Sequence, residues 1–194
     1  MTKIDKPAIT AAPIHDLIAN RFSPRIYDAA ANLSQEELES LGEAFRWAPS
    51  SMNQQPWQVV FTRRGSELFD AISEKGLTGF NQSWAPTASA YAVVLANQLE
   101  ADTARDQAET FFDVGLASQQ MVIQAESMGL RAHYMGGIIK DAIAELVGAE
   151  DQWVVCVITL GHQGDLEGHD AAIVERERTP RSRKDSASVY RIES

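Results

Sequence analysis

Arg21, Ser23 and Arg25 put two guanidinium groups and a hydroxyl into one short segment, Arg21-Phe22-Ser23-Pro24-Arg25-Ile26-Tyr27. A second segment, Ala48-Pro49-Ser50-Ser51-Met52-Asn53-Gln54-Gln55-Pro56-Trp57, gathers small polar side chains and backbone amides in a loop pinned by two prolines. Guanidinium forks match phosphate oxygens bidentately, while amides and hydroxyls meet the edge of a polar heterocycle. The pair could therefore hold a phosphate at one end and a heterocycle at the other. Either segment alone could be a turn beside a helix; their order and spacing are what point to a ligand.

Other chemistries find little support. No Gly-x-Gly-x-x-Gly follows a strand and no Walker-type loop occurs, so neither a permanent dinucleotide domain nor an ATPase is expected. His15, His133, His162 and His169 lack metal-ligand spacing with one another or with Cys156, so no metal site is expected and each reads as an ordinary histidine. There is no Gly-x-Ser-x-Gly elbow, and Ser50-Ser51 has no nearby base to activate it. Cys156 lies in an apolar stretch and reads as a buried thiol; as a lone cysteine it forms no intrachain disulfide, which fits a reducing compartment. What remains is chemistry carried by a bound cofactor, with no acid, base or nucleophile nominated from the protein.

At 194 residues and 44% hydrophobic, the chain suits a single domain, 1–194, that buries a core without disulfides or metal. A formal charge of -10 argues against nucleic acid or an anionic membrane as partner. The basic residues are uneven, however: Arg176, Arg178, Arg181, Arg183 and Lys184 crowd the tail, and Arg21 and Arg25 the start. They are either solvated charge runs or two ends converging on one small anion. Thr2 to Pro13 has no sustained apolar run and Trp153 to Leu160 is too short to span a bilayer, so a soluble, cytoplasmic protein is expected.

Residues 1–13 read as a loose arm. A helix should start at Ser34, whose capping box with Glu37 precedes Leu38, Leu41 and Phe45, and stop before Pro49. Trp57 to Thr62 reads as a strand, Ser66 as the cap of a short helix through Leu68, Phe69 and Ile72, and Ser89 to Ala96 as a second strand. The longest helix should run from about Thr103 to Met128 and end at Gly129; it is apolar on several sides, hence central or at a subunit interface. Arg131 to Met135 is expected as a strand, Asp141 to Val147 as a helix capped by Asp141 and stopped by Gly148, and Trp153 to Leu160 as a fully buried strand. The tail is polar, with Val189-Tyr190-Arg191-Ile192 a possible edge strand; it either frays or packs on a partner. Such interleaving indicates an α+β or α/β domain whose helices cover a central sheet.

In four ordered blocks the chain resembles the nitroreductase family of FMN-dependent oxidoreductases: Arg21 to Arg25, Pro49 to Trp57, Gly129-Leu130 leading into Met135-Gly136-Gly137, and Arg181-Ser182-Arg183. The likeness runs from about Ile14 to the C-terminus. It implies an α+β three-layer fold with a central, mainly antiparallel sheet flanked by helices, in an intertwined homodimer with residues 163–194 packed on the partner. It implies bound FMN and transient NAD(P)H. By that resemblance Arg21, Phe22, Ser23 and Arg25 lie along the flavin, Arg21 at the phosphate and Arg25 toward the pyrimidine edge, with Arg181 and Arg183 closing over the phosphate. Pro49, Ser50, Ser51 and Asn53 would come from the partner subunit. Asn81 would meet the pyrimidine edge, unless it is only a turn residue; Met135, Gly136 and Gly137 would pass flavin N5, unless they only end a strand. Phe80, Trp84, Phe111 and Phe112 would shape the substrate pocket, with core packing the role of at least two. Some relatives carry glutamate where this chain has Gly136 and lysine at position 25, departures that bear on redox tuning and substrate preference. The implied reaction moves a hydride from NAD(P)H through flavin N5 to a planar acceptor such as a nitroaromatic or quinone, by a ping-pong cycle. The alternatives are a specialised family reaction (enoate reduction, reductive dehalogenation or flavin breakdown) and a non-catalytic flavin-binding module.

Overall fold

A computed structural model describes residues 3–98 and 106–193. Four strands, β1 (Trp57–Arg63), β2 (Ala90–Asn97), β3 (Arg131–Met135) and β4 (Gln152–Gly161), form an antiparallel sheet in the order β1-β2-β4-β3. Seven helices accompany it among the described residues: α1 (Asp16–Asn20), α2 (Gln35–Arg46), α3 (Glu67–Ala71), α4 (Asn81–Trp84), α5 (Gln107–Ser127), α6 (Lys140–Val147) and α7 (Ala171–Arg178). The fold is α+β.

Alternation along β2 explains the three layers. Ala90, Ala92, Val94 and Ala96 face one core with residues of α2 and α5, whereas Tyr91, Val93 and Leu95 face a second core with residues of α3, α4, α6 and α7. A strand buried on both faces reads as a continuous apolar run. The small side chains of its first face let Ala117 and Ala125 of α5 approach the sheet closely. On the other face the larger rings stack, Phe69 on Tyr91 with centroids 4.0 Å apart.

Local signals set most boundaries. The Ser34–Glu37 capping box opens α2, Asp106 caps α5 by accepting from the Glu109 N–H, and Gly129 (φ 74°) follows its end. The expected start of α5 at Thr103 lies outside the described residues. Several expectations need correction. Asp141 does not cap α6: the cap is Ile139, with no side-chain bond, and Asp141 sits in the first turn, where its charge favours the helix dipole. Strand β4 is not fully buried, because Trp153, Val155 and Cys156 lie only partly under the helices. Residues 189–192 form no strand; Val189, Tyr190 and Ile192 are exposed beyond a short 3-10 turn at Ser186–Ser188. The polar tail instead contains α7, capped by Asp170, which buries Ile173 and Glu177. The described residues of the N-terminal arm form no helix or strand and touch the rest of the chain through the Ala8 N–H, which donates to Ala19 O (2.8 Å), and Ile4 O, which accepts from Gln163 Nε2 (2.6 Å). No helix among the described residues is long and apolar enough to cross a membrane.

Candidate functional site

Residues 21–28 leave α1 and are stitched to the end of β4. The Asp28 N–H donates to His162 O (2.9 Å) and the Gly164 N–H to Ile26 O (3.1 Å), around a bridge between Tyr27 and Gln163. A Cβ on Gly164 would lie 2.5 Å from Tyr27 O, so this close backbone approach requires glycine. Phe22 is buried between the Lys6 ammonium and the Arg131 guanidinium, 5.4 and 5.1 Å from its ring centre, while Arg131 pairs with Glu126. Phe22 thus anchors the segment in the chain's own interior.

Arg21, Arg181 and Arg183 lie close enough for their charges to interact. Arg21 Nη1 donates weakly to Ser23 Oγ (3.5 Å). Burial lowers the Arg21 pKa, and the nearby Arg183 lowers it further; burial likewise lowers that of Arg181, with Arg21 and Arg183 acting in the same direction. Groups distant in sequence therefore feel one another's charge, an arrangement that an anion relieves. Arg181 is also a structural fastener, because its Nη1 donates to Lys6 O (2.7 Å) and Ala19 O (2.5 Å) and so ties the tail to the arm and to the end of α1. Arg183 Nη1 donates to Ser182 O (2.7 Å).

Two residues not anticipated as functional grip the next peptide. His133 Nδ1 lies 2.7 Å from Pro24 O, so that nitrogen carries the proton, and the ring lies on Trp84 with centroids 4.6 Å apart. The Arg25 N–H donates to Glu177 Oε2 (2.8 Å), while Glu177 Oε1 is buried with no hydrogen-bond partner among the described residues. Burial lowers the His133 pKa to about 4, outweighing the Pro24 carbonyl, and the Arg25 and Arg21 charges lower it further. Burial raises that of Glu177, against the pull of the Arg25 N–H and of the Lys6 and Arg25 charges. The faint sequence signal was the i, i+4 spacing of Ile173 and Glu177 behind a capping Asp170.

A second cluster lies where β3 ends. Asn81 Nδ2 and the Thr78 N–H both donate to Gly137 O at 3.1 Å, and a Cβ on Gly137 would come within 3.0 Å of Asn81 Nδ2. At Gly136 a Cβ would meet nothing within 4 Å, which leaves its backbone approachable. Met135 is buried in the core. The Arg176 guanidinium stacks 4.0 Å above the Phe80 ring, and its charge reaches Arg25. Trp84 does not offer a wall to substrate: it is 1% exposed, packed against Tyr27 and His133. Phe111 is partly buried with its ring edge-on to Trp153 (5.6 Å), a packing contact, whereas Phe112 is 67% exposed.

The Pro49–Trp57 loop is anchored on α5 instead. The Ser51 N–H donates to Oδ2 of the buried Asp113 (3.1 Å), and Ser50 Oγ accepts from the Gln55 N–H (2.9 Å). Gln55 Nε2 reaches Asn53 O and Oδ1 at 3.1 and 3.2 Å. Met52, Asn53 and Gln55 all have left-handed backbones, with φ of 51°, 57° and 50°. Beside Phe112 and Leu116, Pro49, Ser50, Ser51 and Asp113 line an open cavity of about 560 Å³.

The nitroreductase family model matches residues 18–162. The Bacillus subtilis protein YdgI, named provisionally as an NAD(P)H nitroreductase, is 29% identical over 182 residues, covering 75% of this chain and 85% of its own. The major NAD(P)H-flavin oxidoreductase of Aliivibrio fischeri is 34% identical over a shorter stretch of 89 residues, 44% of this chain and 39% of its own. A crystal structure described as an oxidoreductase containing FMN superposes with a TM-score of 0.86 at 31% identity, covering 98% of this chain and 96% of that one.

Proposed function

The chain belongs to the nitroreductase family, and from that premise we propose that it is an FMN-dependent oxidoreductase that uses NAD(P)H to reduce a planar acceptor such as a nitroaromatic or quinone. The observation that carries the reading is that Arg21, Arg181 and Arg183 lie within reach of one another's charge in a chain of net charge -10. Guanidinium groups gathered against such an overall charge fit a phosphate. The rest of the donor set fits FMN as well: Arg25 and Asn81 offer donors for a pyrimidine edge, and the backbone at Gly136 is open to close approach.

Bound FMN would supply the two-electron chemistry, taking a hydride from reduced nicotinamide and passing it to the acceptor in a ping-pong cycle. Arg21 and Arg183 would hold the phosphate. Arg181, committed to two carbonyls, braces the tail and lends charge. Arg25 holds positive charge where reduction adds negative charge, without transferring a proton. His133, neutral until about pH 4 and with Nδ1 committed to Pro24 O, is not an imidazolium acid at neutral pH.

A second copy of the chain completes the site. Pro49, Ser50, Ser51 and Asn53 would lie over the partner's flavin, alongside Met52 and Phe112, which are exposed in the single chain. Among the described residues strand β1 has a free edge, beside a groove of about 840 Å³ between it and α2. The exposed Val189, Tyr190 and Ile192 of the other tail would cover apolar surface of that kind.

The test is one preparation: the visible spectrum of the purified protein, the mass of any released flavin, and anaerobic mixing with NADH and with NADPH. Bleaching by one nucleotide and recovery on adding a quinone or nitroarene is expected. A colourless protein that takes up no added FMN overturns the reading, and a yellow one bleached by neither nucleotide reduces it to a flavin-binding module.

A further inference from the structure

We propose that His133 and Glu177 are positioning residues for the flavin site: between them they grip the Pro24–Arg25 peptide at both polar atoms and so fix the direction of the Arg25 guanidinium. The inference rests on reading residues 21–25 as the FMN cradle. A peptide group is planar, so holding its oxygen and its N–H at once leaves it no freedom to tilt, and the Arg25 Cα is fixed with it. His133 Nδ1 holds the Pro24 oxygen at 2.7 Å and Glu177 Oε2 holds the Arg25 N–H at 2.8 Å. The two come from different places: His133 from β3, seated on Trp84, and Glu177 from α7, far along the chain.

Packing alone does not account for Glu177. The residue is 1% exposed, and one carboxylate oxygen finds no hydrogen-bond partner among the described residues. An apolar side chain there would avoid the cost of desolvation, so a buried carboxylate calls for a role that needs an acceptor. The Arg25 N–H supplies that role. Helix α7 also carries Arg176, stacked on Phe80 and close enough to Arg25 for their charges to interact. The C-terminal helix thus holds the cradle from behind, in its own chain.

The decisive experiment titrates FMN into the whole chain, stripped of flavin, and follows fluorescence quenching in a double-mutant cycle of Glu177→Ala with Arg25→Ala. Glu177→Ala should weaken FMN about tenfold when Arg25 is present and hardly at all when Arg25 is already alanine. Glu177→Gln keeps an acceptor for the Arg25 N–H and should recover most of the affinity. If Glu177→Ala does not fold, His133→Leu run against Arg25→Ala gives the same decision. Equal weakening with and without Arg25, or no weakening at all, overturns the clamp. A parent chain that binds no FMN overturns the underlying flavin reading instead.

Discussion

The cradle at residues 21–25 and the loop at residues 49–57 carry similar polar chemistry but are held in opposite ways. The cradle is held by its own chain, through His133 of β3 and Glu177 of α7, and the residues that follow it are bridged to the turn after β4, with no left-handed residue in it. The loop holds three non-glycine residues in the left-handed region and leaves Met52 88% exposed. Strained backbone of this kind costs about 1–3 kcal/mol per residue and persists where surroundings over-determine it. A site half preorganised and half exposed suits a homodimer, in which the second half is supported only once subunits pair. The difference separates two duties that a single signature seemed to share.

If the cradle is the half built in one chain, its charges should dominate cofactor retention. Changing Arg21 and Arg183 together to alanine should weaken FMN by roughly two to four orders of magnitude, from the loss of charge-assisted bonds of about 1.5–3 kcal/mol each. Equilibrium dialysis reads this directly, and retention within tenfold of the parent would break the phosphate assignment.

The next effect concerns acid. His133 has a folded pKa of about 4 against a usual 6.5, so below 6.5 the unfolded chain binds a proton that the folded chain refuses. Its contribution is present above 6.5 and is lost as pH falls toward 4. The full loss is on the order of 2–3 kcal/mol. Glu177, raised by burial, acts in the opposite sense, losing stability as pH rises through its folded value. Urea unfolding at several pH values isolates the histidine if parent and His133→Asn are compared, and equal slopes would show that His133 is not held neutral by the fold.

On the other side of the comparison, Asp113 is the buried acceptor that pins the loop to α5. Asp113→Ala should cost about 1–2 kcal/mol through the Ser51 N–H and its other contacts. It should weaken FMN only at concentrations where the protein dimerises, whereas cradle variants weaken it at every concentration. The same FMN loss in dilute monomer would contradict the division of duties.

What the sequence made legible follows the range over which each signal acts. The Ser34–Glu37 box, the apolar β2 run and the stops at Gly129 and Gly148 are decided within a few residues, and they stand in the structure. Helix α7 was hidden because its buried face pairs Ile173 with Glu177, and a carboxylate at that spacing reads as solvated surface. His133 looked ordinary because its meaning depends on Pro24, more than a hundred residues earlier. Trp84 suggested a pocket wall, yet Tyr27 and His133 enclose it. The run at residues 189–192 has strand-like composition without a partner strand among the described residues of its own chain, consistent with a role outside it. Cradle residues could be nominated from type and spacing, but the groups that orient them are long-range neighbours.

The smallest effect is the most discriminating for the loop. Met52 has φ 51° and ψ 22°, a conformation in which a Cβ is crowded, and its side chain makes little use of its own chain. Met52→Gly removes that crowding and adds some freedom to the unfolded state, for a net gain of about 0.5–1 kcal/mol. In dilute monomer the melting temperature should therefore rise by about 1–4 °C. At concentrations that favour the proposed dimer the sign should reverse, because a loop lying over the partner would bury the methionine, and losing it would weaken association. A gain that is the same at every concentration would mean that the loop faces solvent in the assembly, and the strain would then need another cause than a partner.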